Sequence, residues 1–91
     1  MSCRAYKIED INKEPSFNLT KDIELINFFV LEGESIPPEI VRRGGLVSLQ
    51  VKTIKLALAE YQWESEDYRR EQLADDIARK DDSDFINYYC I

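Results

Sequence analysis

The clearest repeating pattern of apolar residues lies in the middle of the chain. Five of them follow one another at steps of four, three, four and three residues: Val47, Val51, Ile54, Leu58 and Tyr61. Because an α-helix takes about 3.6 residues per turn, this spacing places all five side chains on one face. The pattern predicts an amphipathic helix over residues 47–62.

A second apolar stretch, INFFVL at residues 26–31, belongs to a segment with helical end signals. Thr20 can cap the first turn, and Gly33 can take the left-handed conformation that ends a helix. The segment predicts a helix over 21–32 that is broadly apolar and therefore central in the fold. The alternative is a buried strand over 23–31, because phenylalanine, isoleucine and valine also favour strands.

The segment between these two stretches predicts a short connecting helix. Pro38 can occupy the first turn of a helix that runs to about Arg43, and Gly44 and Gly45 can end it. A helix over 38–43 follows from these signals.

The region after residue 62 requires a break in the helix. If the helix over 47–62 continued, Leu73 and Ile77 would point away from its apolar face, because each residue turns about 100°. A new start capped by Ser65 restores an apolar side to a helix over 66–81. The two helices then form a hairpin, and Ser83 can cap a further short helix over 84–89 that docks aromatic side chains on the core.

These elements predict an all-α fold, a small bundle of four to five helices in a single domain over 1–91. Residues 20–91 form the helical core, and residues 1–19 form an N-terminal arm in which AYKIEDI can make a short strand. The alternative fold class is α+β, with 23–31 as a strand.

Composition narrows the classes of function. The 91 residues include ten aromatic side chains but no histidine, which removes the commonest general base and metal ligand. Cys3 and Cys90 stand at opposite ends of the sequence, a spacing unlike that of a zinc or redox motif. We expect a non-enzymatic cytoplasmic protein with no cofactor, no metal and no membrane segment, and with both thiols reduced.

Charge is distributed unevenly along the chain. The net charge is −6. Residues 60–84 hold ten acids and four bases, which already sum to −6, whereas residues 40–59 hold four bases and no acid. The acidic segment, defined here as residues 64–84, is therefore either a solvated helix face with internal ion pairs or a surface for a basic partner.

The functional interpretation treats the acidic segment as a protein-binding surface. Carboxylates one helical turn apart lie about 5 to 6 Å from one another, near the spacing of phosphates on a nucleic acid strand. Such a surface suits a partner with a basic face, including a nucleic-acid-binding protein, as in inhibitors, antitoxins, immunity proteins or adaptors. The candidate partner-binding residues are Glu64, Glu66, Asp67, Glu71, Asp75, Asp76, Asp81, Asp82 and Trp63.

Two other functions compete with this one. Residues 38–58 have the outline of a helix-turn-helix, in which Lys52 and Lys55 would contact DNA, although the overall acidity of the chain disfavours nucleic acid binding. The chain is also short enough to act as a structural subunit or a homodimer. Trp63, at the predicted hairpin corner, has an alternative interpretation as a lid over a small core.

Overall fold

The structure, a computed structural model, describes residues 3–10 and 14–91, with the backbone alone at residue 10. Four strands form one antiparallel sheet: β1 (Arg4–Lys7), β2 (Phe17–Asn18), β3 (Gly45–Gln50) and β4 (Phe85–Cys90). Within the described residues the α-helices are α1 (Ile23–Leu31), α2 (Ile40–Arg43), α3 (Val51–Glu60) and α4 (Tyr68–Asp76), and a 3₁₀ turn spans Ile8–Asp10. The strand order is β2-β1-β4-β3, so both described ends of the chain meet in the middle of the sheet.

The predicted all-α bundle is wrong, and the fold is α+β. The α+β alternative named the right class but placed its strand at 23–31, which form α1. The strands instead come from the predicted N-terminal arm, from the start of the predicted helix over 47–62, and from the predicted helix over 84–89.

The apolar stripe over 47–61 crosses two elements. Val47 and Leu49 are buried while Leu46 and Ser48 are exposed, an alternation with a period of two that marks a strand with one covered face. The chain changes directly from strand to helix at Val51, and the helical period holds only from there. Val51 serves both patterns, since it continues the strand alternation and begins the helical stripe.

Strand β4 shows the same alternation, with Ile86, Tyr88 and Cys90 buried and the residues between them exposed. The predicted helix over 84–89 is therefore wrong, because these residues lead into and form β4. Pairing with β1 on one side and β3 on the other fixes β4 as a central strand. Its backbone hydrogen bonds come from neighbours distant in sequence, which outweigh the local cap signal of Ser83.

Helix α1 confirms the helix predicted over 21–32 but not its central position. Leu25 and Phe29 are buried, whereas Ile23, Val30 and Leu31 are exposed. Asp22, not Thr20, precedes the first helical residue, and Gly33 has the expected positive φ of 100°. The many apolar residues of this helix thus leave part of its apolar surface in solvent.

Helix α2 confirms the short helix predicted over 38–43, and Gly44 ends it. Gly44 has a φ of 72°, and a Cβ there would lie 2.5 Å from the carbonyl oxygen of Cys90. Only glycine permits this approach of the α2 turn to β4. Strand β3 follows at once, so residues 38–58 do not form a helix-turn-helix.

Helix α4 confirms the predicted break after residue 62 and is shorter than the predicted helix over 66–81. Its N-cap is Asp67 and not Ser65, since the Asp67 carboxylate accepts a hydrogen bond from the backbone N–H of Arg69 at 3.0 Å. Helices α3 and α4 pack together as the hairpin predicts. Within the described residues, no helix is both long enough and apolar enough to cross a membrane.

One core lies between the helices and the covered face of the sheet. It includes Cys3 and Cys90, both free thiols, and a buried polar group formed by Ser16, Asp76 and Tyr88. The Ser16 hydroxyl donates to Asp76 Oδ2 at 2.5 Å, and the Tyr88 hydroxyl donates to the same oxygen at 2.8 Å. Burial, followed by the neighbouring Asp76 carboxylate, raises the pKa of Tyr88 well above its ordinary value.

Candidate functional site

An open cleft of about 780 Å³ lies between the start of α1 and the segment that leads into α4. We call this concavity the cleft. It is lined from two directions, by residues 21–24 and by residues 61–69 excluding Trp63. Five acids and two bases lie along it: Asp22, Glu24, Glu64, Glu66, Asp67, Lys21 and Arg69.

Arg69 joins the two walls of the cleft. Its Nε donates to Asp67 Oδ1 at 2.9 Å and its Nη2 to Asp67 Oδ2 at 2.5 Å, a two-point ion pair. Its Nη1 lies 2.9 Å from Asp22 Oδ1 at the start of α1. The guanidinium also lies 5.6 Å from the centre of the Trp63 ring. These contacts hold Arg69 in place, so its positive charge is already balanced inside the protein.

The pKa shifts agree with this geometry. Hydrogen bonds from the Arg69 side chain lower the pKa of Asp67, although partial burial acts in the opposite direction. The same Asp67 carboxylate raises the pKa of Arg69. Asp67 and Arg69 therefore stay charged across the ordinary pH range and serve to fix the shape of the cleft.

Aromatic side chains support the cleft from below. The Tyr61 ring contacts Phe28 of α1 at 5.8 Å and Trp63 at 4.8 Å between ring centres. The indole N–H of Trp63 donates to the carbonyl oxygen of Ala57 at 2.9 Å. Trp63 is half-buried and packs on the core, which fits its interpretation as a lid.

Glu66 occupies the tip of the turn at the rim of the cleft with a φ of 59°. Non-glycine residues avoid this left-handed region at a cost of about 1 to 2 kcal/mol, and glycine would adopt it freely. A glutamate at such a position places an exposed carboxylate at the rim where glycine would suit the backbone better.

The structure divides the predicted partner-binding residues into two groups. Glu64, Glu66, Asp67 and Glu71 lie together around the N-terminal end of α4, along a groove of about 350 Å³ next to the cleft. Asp81 and Asp82 lie beyond the other end of α4, a helix that spans about 13 Å. Asp82 pairs there with Lys55 at 2.5 Å, which links the basic stretch over 40–59 to the acidic segment.

Two predicted residues do not belong to an acidic surface in the same way. Asp76 is completely buried in the core, so it cannot contact a partner in this conformation. Asp75 is exposed on α4 but takes part in an interaction within the chain. The sequence analysis named both neighbours as partner-binding candidates, whereas α4 turns Asp76 inward and Asp75 outward.

The α1 wall of the cleft was absent from the sequence prediction. Lys21, Ile23 and Glu24 lie at the start of α1, about 40 residues before the acidic segment. Tyr68, which is exposed, completes the apolar part of the cleft with the exposed Ile23. The sequence held one indication that Ile23 is exposed. The helix over 21–32 contains more apolar residues than a single helix face can bury, so some of them must face solvent.

The charged side chains that line the cleft are mostly acidic. Within the described residues, no cluster of three or more cysteine, aspartate or glutamate side chains is arranged to hold a metal ion. The two buried cysteines lie in the core and not in the cleft. The cleft thus combines carboxylates at the rim, a fixed ion pair at the floor and two exposed apolar side chains.

Comparisons of the chain with protein-family models, with curated proteins and with solved structures gave no match.

Proposed function

We propose that this protein acts by binding a basic segment of another protein in the cleft between α1 and α4. The observation that carries the proposal is the arrangement of exposed carboxylates on both walls: Glu24 on α1, and Glu64 and Glu66 on the opposite segment. Among the described residues, none of these three side chains has a hydrogen bond or ion pair. They are available to cations from outside.

The remaining features favour a protein over a small ion. Ile23 is 59% exposed and Tyr68 is 52% exposed, so a partner that fills the cleft would cover apolar as well as acidic surface. Arg69 fixes the two walls relative to each other, which lowers the entropic cost of binding. A segment that alternates lysine or arginine with apolar residues has the matching chemistry, and it can belong to a nucleic-acid-binding protein.

Charge reversal tests whether the carboxylates of the cleft, and not the net charge of the protein, govern binding. A double variant, Glu64→Lys with Glu66→Lys, should weaken binding of a partner captured from the native host, mainly by slowing association. The matched control, Glu32→Lys with Glu39→Lys, changes the net charge equally at exposed positions outside the cleft. Binding rates are measured by surface plasmon resonance at low and at moderate salt.

The proposal requires that the cleft variant lose binding and that the control retain it. Heparin should compete with the acidic protein for the basic partner in the same assay. Equal losses in both variants would show that net charge and not the cleft governs binding. A partner that both variants bind at the wild-type rate would place the interaction elsewhere.

A further inference from the structure

Among the described residues, the strand positions on the side of the sheet that faces away from the helices carry no carboxylate side chain. We call this side the outer face. Along the three longer strands β1, β3 and β4 its side chains alternate with the buried ones, and most are apolar or neutral: Arg4, Tyr6, Leu46, Ser48, Phe85, Asn87 and Tyr89. Tyr6, Tyr89 and Leu46 form one row across these strands. In a chain with 18 acids, this face is neutral apart from one arginine.

Strand β3 lies at the edge of the sheet and offers unpaired backbone groups. The N–H of Val51 donates to the carbonyl oxygen of Asp84, the residue before β4. The N–H of Gln50 instead donates away from β4, to the Glu34 carboxylate at 2.7 Å. Because backbone direction alternates along a strand, the N–H groups of Leu46 and Ser48 point away from β4 as well. Glu34 closes this edge at Gln50 and leaves it open over Leu46–Ser48.

The open edge lacks the features that prevent strands from pairing with other chains. The sequence of β3 is GLVSLQ, with no charged residue and no proline. Natural edge strands are commonly protected by a lysine, a proline, a bulge or a covering segment. Among the described residues, the Glu34 side chain lies at the Gln50 end of β3 and the Ile40 side chain lies against Gly45 at the other end. Leu46 and Ser48 between them are exposed.

We propose that two copies of this chain form a closed dimer by pairing their β3 strands antiparallel about a two-fold axis at Val47. In this register Leu46 of one copy lies opposite Ser48 of the other. Each N–H that points outward then meets an outward carbonyl, which gives four backbone hydrogen bonds. The two sheets join into one sheet of eight strands.

The chemistry favours a second copy over a different partner. The pairing is self-complementary, because the two outward residues are each other's partners across the axis. Each copy has a net charge of −6, so a dimer is stable only if the contact keeps the acidic segments apart. Among the described residues, the outer-face positions of the strands carry no acid, and the one acid hydrogen-bonded at the β3 edge is Glu34, at the Gln50 end. The acidic segment supplies α4 on the covered face of the sheet. The dimer leaves the cleft open and is independent of the proposed function.

Sedimentation equilibrium of the purified chain tests the dimer. We expect a mass near twice 10.7 kDa at high micromolar concentration that falls toward 10.7 kDa on dilution. Ser48→Pro removes one outward N–H and no backbone bond to β4, although it also removes the hydrogen bond from the Ser48 hydroxyl to Asn87. Leu46→Lys leaves that bond in place and puts a charge on the edge. Each variant should raise the dimer dissociation constant by about tenfold or more.

The matched control is Leu31→Lys, which introduces the same charge at a leucine exposed on α1. It should leave the dissociation constant unchanged. Amide hydrogen exchange provides a second measurement that does not depend on a variant. Exchange at Leu46 and Ser48 should slow as concentration rises, whereas exchange at Gln50, whose N–H is already bound to Glu34, should not change.

Three results would overturn the proposal. One is a monomer at every concentration up to several hundred micromolar. Another is an open-ended assembly, because pairing about a two-fold axis closes at two copies. The third is a dimer that survives both Ser48→Pro and Leu46→Lys, which would place the contact on another surface.

Discussion

At the residue scale, the carboxyl group of Asp76 stands out because it is completely buried and accepts two hydroxyl hydrogen bonds. Ser16 comes from the segment before β2, Asp76 from the end of α4, and Tyr88 from β4. One carboxyl oxygen therefore links three parts of the chain that are distant in sequence. Buried polar groups stabilise a fold when each is satisfied, and they destabilise it when a partner is removed.

Replacing Asp76 by alanine should lower the free energy of unfolding by about 2 to 5 kcal/mol, since two buried hydroxyls lose their acceptor. Chemical denaturation followed by Trp63 fluorescence measures the change. Glu71→Ala is the control, because Glu71 is exposed on the same helix and should cost less than about 0.5 kcal/mol. Similar losses for the two variants would contradict the role of the buried carboxyl group.

The sequence around Asp76 gives no sign that this residue is buried, so it was predicted to lie on the surface. Nothing in the pair Asp75-Asp76 distinguishes the two carboxylates, and aspartate is rarely buried. Its burial depends on Ser16 and Tyr88, 60 residues before it and 12 after it. Such a contact follows from tertiary packing and leaves no local pattern.

At the scale of elements, the helices with local start and stop signals were predictable, and so was β1, which overlaps the short strand predicted in AYKIEDI. The other strands were not predicted. Gly33 and Gly44 mark the ends of α1 and α2, and the charged turn before Tyr68 marks the start of α4. Strands β3 and β4 depend on pairing with each other and with β1. The alternation of Ile86, Tyr88 and Cys90 was a usable signal, but six residues are too few to separate a strand from a capped turn by pattern alone.

Arg69 connects two of these elements, α1 and α4, and its removal should separate them. Arg69→Met keeps much of the apolar stem of the side chain and removes the ion pairs with Asp67 and Asp22. Because these side chains are largely shielded from solvent, we expect a loss of about 1 to 3 kcal/mol at neutral pH. Lys80→Met, at an ion pair with a longer separation of 3.9 Å, is the control and should cost less.

The same variant should change the response to acid. The folded-state pKa of Asp67 is lowered, mainly by its hydrogen bonds with Arg69, so its stabilising contribution is present above the unfolded pKa. This contribution is lost as pH falls through the folded pKa. Wild-type stability should therefore fall more steeply below about pH 4 than that of Arg69→Met. Parallel acid titrations of the two proteins would contradict a clamp centred on Arg69.

At the scale of the whole molecule, half of the cleft could be predicted from charge and half could not. The excess of acids over 64–84 indicated Glu64, Glu66 and Asp67, which line one wall. Glu24 and Ile23 line the other wall because α1 packs beside the hairpin, as the contact between Phe28 and Tyr61 shows. A local charge count cannot report that packing, since the two walls are about 40 residues apart in sequence.

The uneven distribution of charge leads to a final prediction about salt. The acidic segment accounts for most of the net charge of −6, and its exposed carboxylates Glu64 and Glu66 line the cleft. We expect these like charges to repel one another. Salt at about 0.1 M screens exposed charges over roughly 10 Å. Screening should relieve this repulsion and weaken the exposed Lys55–Asp82 pair, which contributes little. Moderate sodium chloride should therefore raise the melting temperature, as measured by circular dichroism at low protein concentration.

Glu64→Gln with Glu66→Gln should melt higher than wild type in low salt and respond less to added salt, because two repelling charges are already gone. Glu32→Gln with Glu39→Gln, at exposed positions outside the cleft, should keep most of the wild-type response. A melting temperature that falls with salt would show that the ion pairs of this molecule outweigh the repulsion among its carboxylates.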